Sequence, residues 1–199
     1  MPDEARRQRG RRLALALTGA RLALAPVLPL VALTRAPGVV LALLLVVGFV
    51  TDLFDGVVAR GHGVADGALR LADTVADNAF YIGAAIAACV RHADVLTDDR
   101  IGIAAVLGTK LLDHAVELQR YGRLASYHLR SSRLWGLLLF LALVTLFAGG
   151  PHWPLGVALA AGTLSQLESL LVTLLLPTWH HDVPSVGAAL RLRASGSEA

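Results

Sequence analysis

The sequence predicts an all-α, polytopic membrane protein with six transmembrane helices and a short N-terminal amphipathic segment. Three observations predict it. The chain of 199 residues is 55% hydrophobic, with a mean hydropathy of +0.61. That is more Leu, Ala and Val than the interior of a soluble domain of this size takes up. The apolar residues fall into six segments, residues 13–34, 38–59, 68–90, 101–119, 134–150 and 154–177. Each is close to the roughly 20 residues a helix needs to cross the hydrocarbon. Finally, the basic residues alternate between dense and sparse connections, as the positive-inside rule requires.

Each element has its own signal. Arg6, Arg7, Arg9, Arg11 and Arg12 alternate with polar residues before the first apolar run. This suits an amphipathic helix on the cytoplasmic leaflet over residues 1–12. The run that follows contains Arg21, Pro26 and Pro29 and lacks a small-residue cleavage site. It reads as a retained first span rather than a signal peptide. Pro37, Pro151 and Pro154 mark short turns, and Pro177 ends the sixth span. The membrane domain is expected over residues 13–192, with a cytoplasmic tail over 193–199. Trp135, Trp153 and Trp179 fall near span ends, where aromatic anchors sit. The lone Cys89 excludes a disulfide framework. A net charge of +3 without a basic stripe excludes nucleic-acid binding.

Orientation follows from the arginines. One side receives the five N-terminal ones, Arg60, Arg70, Arg120, Arg123, Arg130, Arg133, Arg191 and Arg193, thirteen in all. The other receives Arg35, Arg91 and Arg100, while Arg21 and Lys110 fall inside spans. Both termini, and the connection between the second and third spans, are therefore expected in the cytoplasm.

Ionisable residues inside spans are functional candidates, because hydrocarbon tolerates them poorly. Asp52 and Asp55 lie at i and i+3 near the cytoplasmic end of the second span. Asp73 and Asp77 lie at i and i+4 in the cytoplasmic half of the third. Each pair shares a helix face, and consecutive spans can bring the faces to one depth. Four carboxylates so close repel one another unless cations lie between them. Hard divalent ions with oxygen ligands fit best, and two such ions can clamp a pyrophosphate. From the carboxylates alone, a cation path or a proton relay stays open. The neighbouring residues favour phosphate chemistry. Gly56 permits close approach of a ligand to the backbone, Ala59 keeps the face narrow, and Arg60, one turn on, can neutralise a phosphate.

Residues 52–60 read D-L-F-D-G-V-V-A-R, and residues 73–77 read D-T-V-A-D. This resembles the signature of the CDP-alcohol phosphatidyltransferase family, D-x-x-D-G-x-x-A-R, eight residues, Gly, three residues, Asp, three residues, Asp. Asp52, Asp55, Gly56, Ala59, Arg60, Asp73 and Asp77 match in register. Leu69 stands where the family has its second glycine, close to the bound nucleotide. The opening L-T-G-A-R-L-A-L-A-P also looks like the family's first helix.

The resemblance implies transfer of a phosphatidyl group from a CDP-linked lipid, CDP-diacylglycerol first among them, to an alcohol, with release of CMP. It implies two Mg2+ or Mn2+ ions held by Asp52, Asp55, Asp73 and Asp77, with Asp77 also acting as general base. Gly56, Ala59 and Arg60 would line the donor site. It further implies a homodimer and a cytoplasm-facing site in the cell membrane. The alternatives are a catalytically degenerate relative or a transferase with a non-standard donor, and Leu69 is the residue that favours them.

Lys110, Asp113, His114, Glu117 and Tyr121 recur at helical spacing in the fourth span. They form either a wall of the acceptor pocket or a polar network between helices. Lys110, Arg130 and Arg133 are the candidates for a phosphorylated acceptor, set against a role as lipid anchors. Glu168 in the sixth span is the expected partner of Arg21. His180 and His181 read as interfacial, and Asp66 as a solvated turn residue.

Overall fold

The computed structural model describes residues 2–34, 36–62, 67–124, 127, 129–180 and 183–196, without the side chains of 2–5, 59, 60, 62, 68, 70, 195 and 196. Every regular element among them is helical. In chain order they are α1 (Pro2–Leu33), α2 (Gly38–His62), α3 (Gly67–Arg91), α4 (Ala93–Asp98), α5 (Arg100–Tyr121), α6 (Arg130–Phe147), α7 (Trp153–Leu175) and α8 (Val186–Gly196). The six expected segments become α1, α2, α3, α5, α6 and α7. Two short helices join them. One is α4, between the third and fourth segments. The other is α8, which replaces the expected tail after Leu192 with helix as far as Gly196. The N-terminal basic stretch is not a separate piece either. It is continuous with α1, whose helix runs through residue 12 without a break.

Among the described residues, four helical stretches are long and apolar enough to cross a membrane: Arg6–Leu33, Gly38–Val58, Arg130–Phe147 and Trp153–Leu175. The remaining two long helices, α3 and α5, have 25 and 22 residues. Their apolar runs are interrupted by Asp73 and Asp77 in one, and by Lys110, Asp113 and Glu117 in the other.

The helices form two compact units. One comprises Met1–Asp94 with Leu143–Gly150, the other Val95–Ala142 with Pro151–Ala199. In the first unit α1 is central. It packs along both α2 and α3, which touch each other little. The reason is legible on α1: Ala14, Thr18, Arg21, Ala25, Leu28 and Ala32 are all buried, at alternating steps of four and three. That stripe is the narrow seam of a helix packed along its whole length, and its small residues let backbones approach.

The closest approach is at Gly83 of α3. A Cβ there would lie 2.2 Å from the carbonyl oxygen of Ala25. Pro29 has no N–H to donate to that carbonyl, so the carbonyl is available to a neighbouring helix. Gly83→Val should therefore force α1 and α3 apart and destabilise the fold by about 1–3 kcal/mol. Gly19→Ala, where a Cβ meets nothing within 4 Å, should be neutral or better. Thermal unfolding of the two variants in the same detergent makes the comparison. Equal melting temperatures would show that the Gly83 contact carries no weight.

In the second unit α7 packs against α5 and α8. Val106, Ala142, Leu155, Ala158 and Leu159 form one core, and Leu129, Val172, Leu176, Val183 and Ala189 another. Gly122, at φ 66°, ends α5 by donating its N–H to the carbonyl of Leu118, a left-handed cap suited to glycine. Pro154 lies inside the first turn of α7 rather than in the turn before it. Trp135 departs from its expected role as an interfacial anchor. Its indole packs where a Cβ on Gly162 would collide with Nε1 at 2.5 Å, so it fills a helix–helix contact. Trp153 is exposed at the start of α7. The guanidinium of Arg123 lies 3.8 Å above the Trp179 ring.

Candidate active site

All four spotlighted aspartates lie in the first unit, on α2 and α3, and α1 supplies the group between them. The side chain of Arg21 is 1% exposed, although it carries a charge. Its Nη1 lies 2.8 Å from Asp52 and 3.1 Å from Asp73, and also contacts Asp77. Its Nη2 contacts Asp55. A buried charge is tolerable only when it is paired, and here one planar fork meets four carboxylates on two helices. Arg21 thus pairs with the aspartates, whereas Glu168, its expected partner, belongs to the second unit. The seam on α1 explains why. Arg21 occupies a position of the buried stripe that faces α2 and α3.

Oxygen atoms of Asp52, Asp55 and Asp73 all lie within 4.8 Å of one another. Asp77 joins the group through Arg21. Asp55 is buried, with 7% of its side chain exposed, whereas Asp52, Asp73 and Asp77 are about 40% exposed. The cluster is therefore closed beneath Asp55 and open above the other three. Thr18, one turn before Arg21, has its hydroxyl 3.0 Å from the Ala14 carbonyl and 3.4 Å from Asp55. Beside the cluster lies a cavity of about 40 Å³ lined by Arg21, Gly48, Phe49, Asp52, Asp77, Phe80 and Tyr81.

Around the cluster, Gly56 continues α2 directly after Asp55 and is half-buried. Ala59 and Arg60 lie on the last turns of α2, but their side chains fall outside the described part, as do Asp66 and His181 altogether. Leu69 is 7% exposed, in the first turn of α3.

The polar set on α5 belongs to the second unit. Asp113 and Glu117 are fully buried. Asp113 accepts a hydrogen bond from Thr173 at 3.3 Å, and Glu117 pairs with His114 at 3.0 Å. The Tyr121 hydroxyl lies 2.8 and 3.0 Å from the carbonyls of Thr173 and Leu176. The bonds of Asp113 and Tyr121 tie α5 to α7 and its end, which favours the network reading over a pocket wall. Burial pushes the Tyr127 phenol, also bonded to Thr173, well above its ordinary range. Of the acceptor candidates, Lys110 is half-buried, while Arg130 and Arg133 are exposed at the start of α6. His180 bonds locally, its Nδ1 2.9 Å from the carbonyl of Thr178.

The family model described as CDP-alcohol phosphatidyltransferase matches residues 11–179. The chain belongs to the CDP-alcohol phosphatidyltransferase family. The match runs from the N-terminal arginines to Trp179 and so takes in both units, not the aspartate motif alone. No curated protein and no solved structure matched the chain. This phosphatidyltransferase is accordingly a multi-pass membrane enzyme of phospholipid synthesis, with an aspartate cluster suited to a divalent metal.

Arg21 is the residue whose part in the site sequence reasoning missed. Its signal was present, since it lies three residues after Thr18 and four before Ala25, on the seam.

Proposed function

We propose that the protein transfers the phosphatidyl group of CDP-diacylglycerol to a small or phosphorylated alcohol and releases CMP at the cytoplasmic face of the membrane. The observation that carries the reading is the convergence of Asp52, Asp55 and Asp73 within 4.8 Å on the family segment. These residues fit a divalent metal. All donors are hard carboxylate oxygens, and with Arg21 as their common partner the four aspartates still keep a formal charge of minus three. Mg2+ or Mn2+ would be held by Asp52, Asp55 and Asp73, with Asp77 completing a second position. When bound, such ions neutralise the pyrophosphate oxygens and stabilise charge that develops during displacement at phosphorus.

The chain's own groups do the rest. The acceptor hydroxyl oxygen attacks the phosphorus that carries diacylglycerol. A bond forms there, and the bond from that phosphorus to the bridging oxygen breaks, so CMP leaves with the bridging oxygen. Asp77 takes the hydroxyl proton; its side chain is 39% exposed, so an alcohol can reach it. Gly56, Ala59 and Arg60 line the donor's nucleotide and phosphates. Lys110, Arg130 and Arg133 receive a phosphorylated acceptor.

We read six spans, with both termini cytoplasmic. Leu71, Val75, Ile82, Ile86 and Val90 expose an apolar stripe on α3, as do Ile101, Leu107, Leu111 and Leu118 on α5. Lipid suits those stripes, while the aspartates of α3 face α1. Residues 13–192 then form the catalytic membrane domain, flanked by the basic segment 1–12 and the end of α8 with the tail from residue 193, and the enzyme works as a homodimer.

The test is CMP release by purified protein given CDP-diacylglycerol, Mg2+ and one alcohol at a time from glycerol 3-phosphate, inositol phosphate, inositol and serine. One acceptor should raise release at least tenfold above the no-acceptor rate, and EDTA should remove it. No release with any of them would overturn CDP-diacylglycerol as donor.

A further inference from the structure

We propose that Arg21 is a built-in competitor for the divalent ion. It holds the aspartate cluster together in metal-free protein and yields part of it on metal binding. This rests on the metal-site reading above. The guanidinium and the ion need the same carboxylates. Nη1 takes Oδ1 of Asp52 and of Asp73, and Nη2 takes Oδ2 of Asp55, the three residues whose oxygens converge. An ion such as Mg2+ sits about 2.0–2.1 Å from its oxygens, too close for N–H groups to occupy the same lone pairs. Each carboxylate has lone pairs to spare, so Arg21 need withdraw only in part.

Two features make the withdrawal feasible. The cavity of about 40 Å³ lies beside the guanidinium, between Asp52, Asp77, Phe80 and Tyr81. Nε of Arg21 is buried and has no hydrogen-bond partner among the described residues, so that edge of the fork is not pinned. The cost of losing Arg21 follows from the packing. Because α2 and α3 touch little, α1 is what joins their acidic faces. Without its cation, four carboxylates would face one another uncompensated.

The experiment is Mn2+ binding by the purified full-length protein, with free Mn2+ followed by electron paramagnetic resonance, beside thermal unfolding in EDTA and in Mg2+. Wild type, Arg21→Gln and Arg21→Lys are compared. Arg21→Gln should bind Mn2+ at least tenfold more tightly at unchanged stoichiometry, melt lower in EDTA, and gain more from Mg2+ than wild type gains. Arg21→Lys, with one nitrogen in place of the fork, should fall between. Protein that survives only when purified in Mg2+ would also support the proposal. Unchanged or weaker Mn2+ binding by a folded Arg21→Gln protein would overturn it. Should that variant fail to fold even in Mg2+, Arg21→Lys decides: tighter binding than wild type supports the competition, and equal or weaker binding removes it. Wild type that binds no Mn2+ would instead sink the metal-site reading, and this inference with it.

Discussion

Replacing Asp73 or Asp52 by Asn is expected to lower phosphatidyl transfer at least a thousandfold at ordinary Mg2+. Each substitution removes one charged ligand from a set whose oxygens lie within 4.8 Å, and metal-borne charge stabilisation is worth several kcal/mol in the transition state. The fold should survive, because both side chains are about 40% exposed and Arg21 keeps its remaining acidic partners. Asp55→Asn differs. That carboxylate is buried, contacts Arg21 and lies 3.4 Å from the Thr18 hydroxyl, so its loss should cost stability as well as activity. CMP release and thermal unfolding, measured on all three variants, separate the two effects. An Asp73→Asn enzyme with a tenth of wild-type turnover would remove that residue from the metal set.

The long helices and the acidic pairs were legible because their signals are periodic. Spacings of three and four fix which residues share a face, whatever the helix packs against. The short helices were not. α4 has six residues, too few to show a period. α8 contains Arg191 and Arg193 beside small residues, so its composition looks like a tail. The span count shows a different limit. The apolar runs give six segments, but charged side chains interrupt those on α3 and α5, and among the described residues four helical stretches are long and apolar enough to cross a membrane. Arg21 was misassigned for a third reason. Glu168 and the aspartates are all acidic residues inside expected spans, so the sequence does not distinguish them as partners, and the tertiary seam on α1 turns Arg21 toward the aspartates. Trp135 failed the same way, since a position near a helix end suits both an interface and a neighbouring glycine.

Asp77 and Leu69 allow binding and chemistry to be pulled apart. Asp77 is one helical turn beyond Asp73. It stands outside the tight group of three oxygens and is about 40% exposed, so it can reach an acceptor while Asp52, Asp55 and Asp73 hold the first ion. Asp77→Asn is therefore expected to lower transfer about a hundred- to ten-thousandfold, the span attributed to a positioned general base, while CDP-diacylglycerol binding changes by less than threefold. Leu69 lies two turns before Asp77 and is buried in the first turn of α3. On the proposed donor site, its isobutyl group would crowd the space that a glycine there would leave to the nucleotide. Leu69→Gly should then tighten CDP-lipid binding several-fold, at a small cost in stability from the lost buried side chain. Equilibrium binding of CDP-diacylglycerol and single-turnover CMP release, measured on both variants, give four numbers. Full turnover by Asp77→Asn with any acceptor would end the base assignment. Weaker donor binding by a folded Leu69→Gly protein would make Leu69 a wall of a specialised pocket, and a donor other than CDP-diacylglycerol would follow from it.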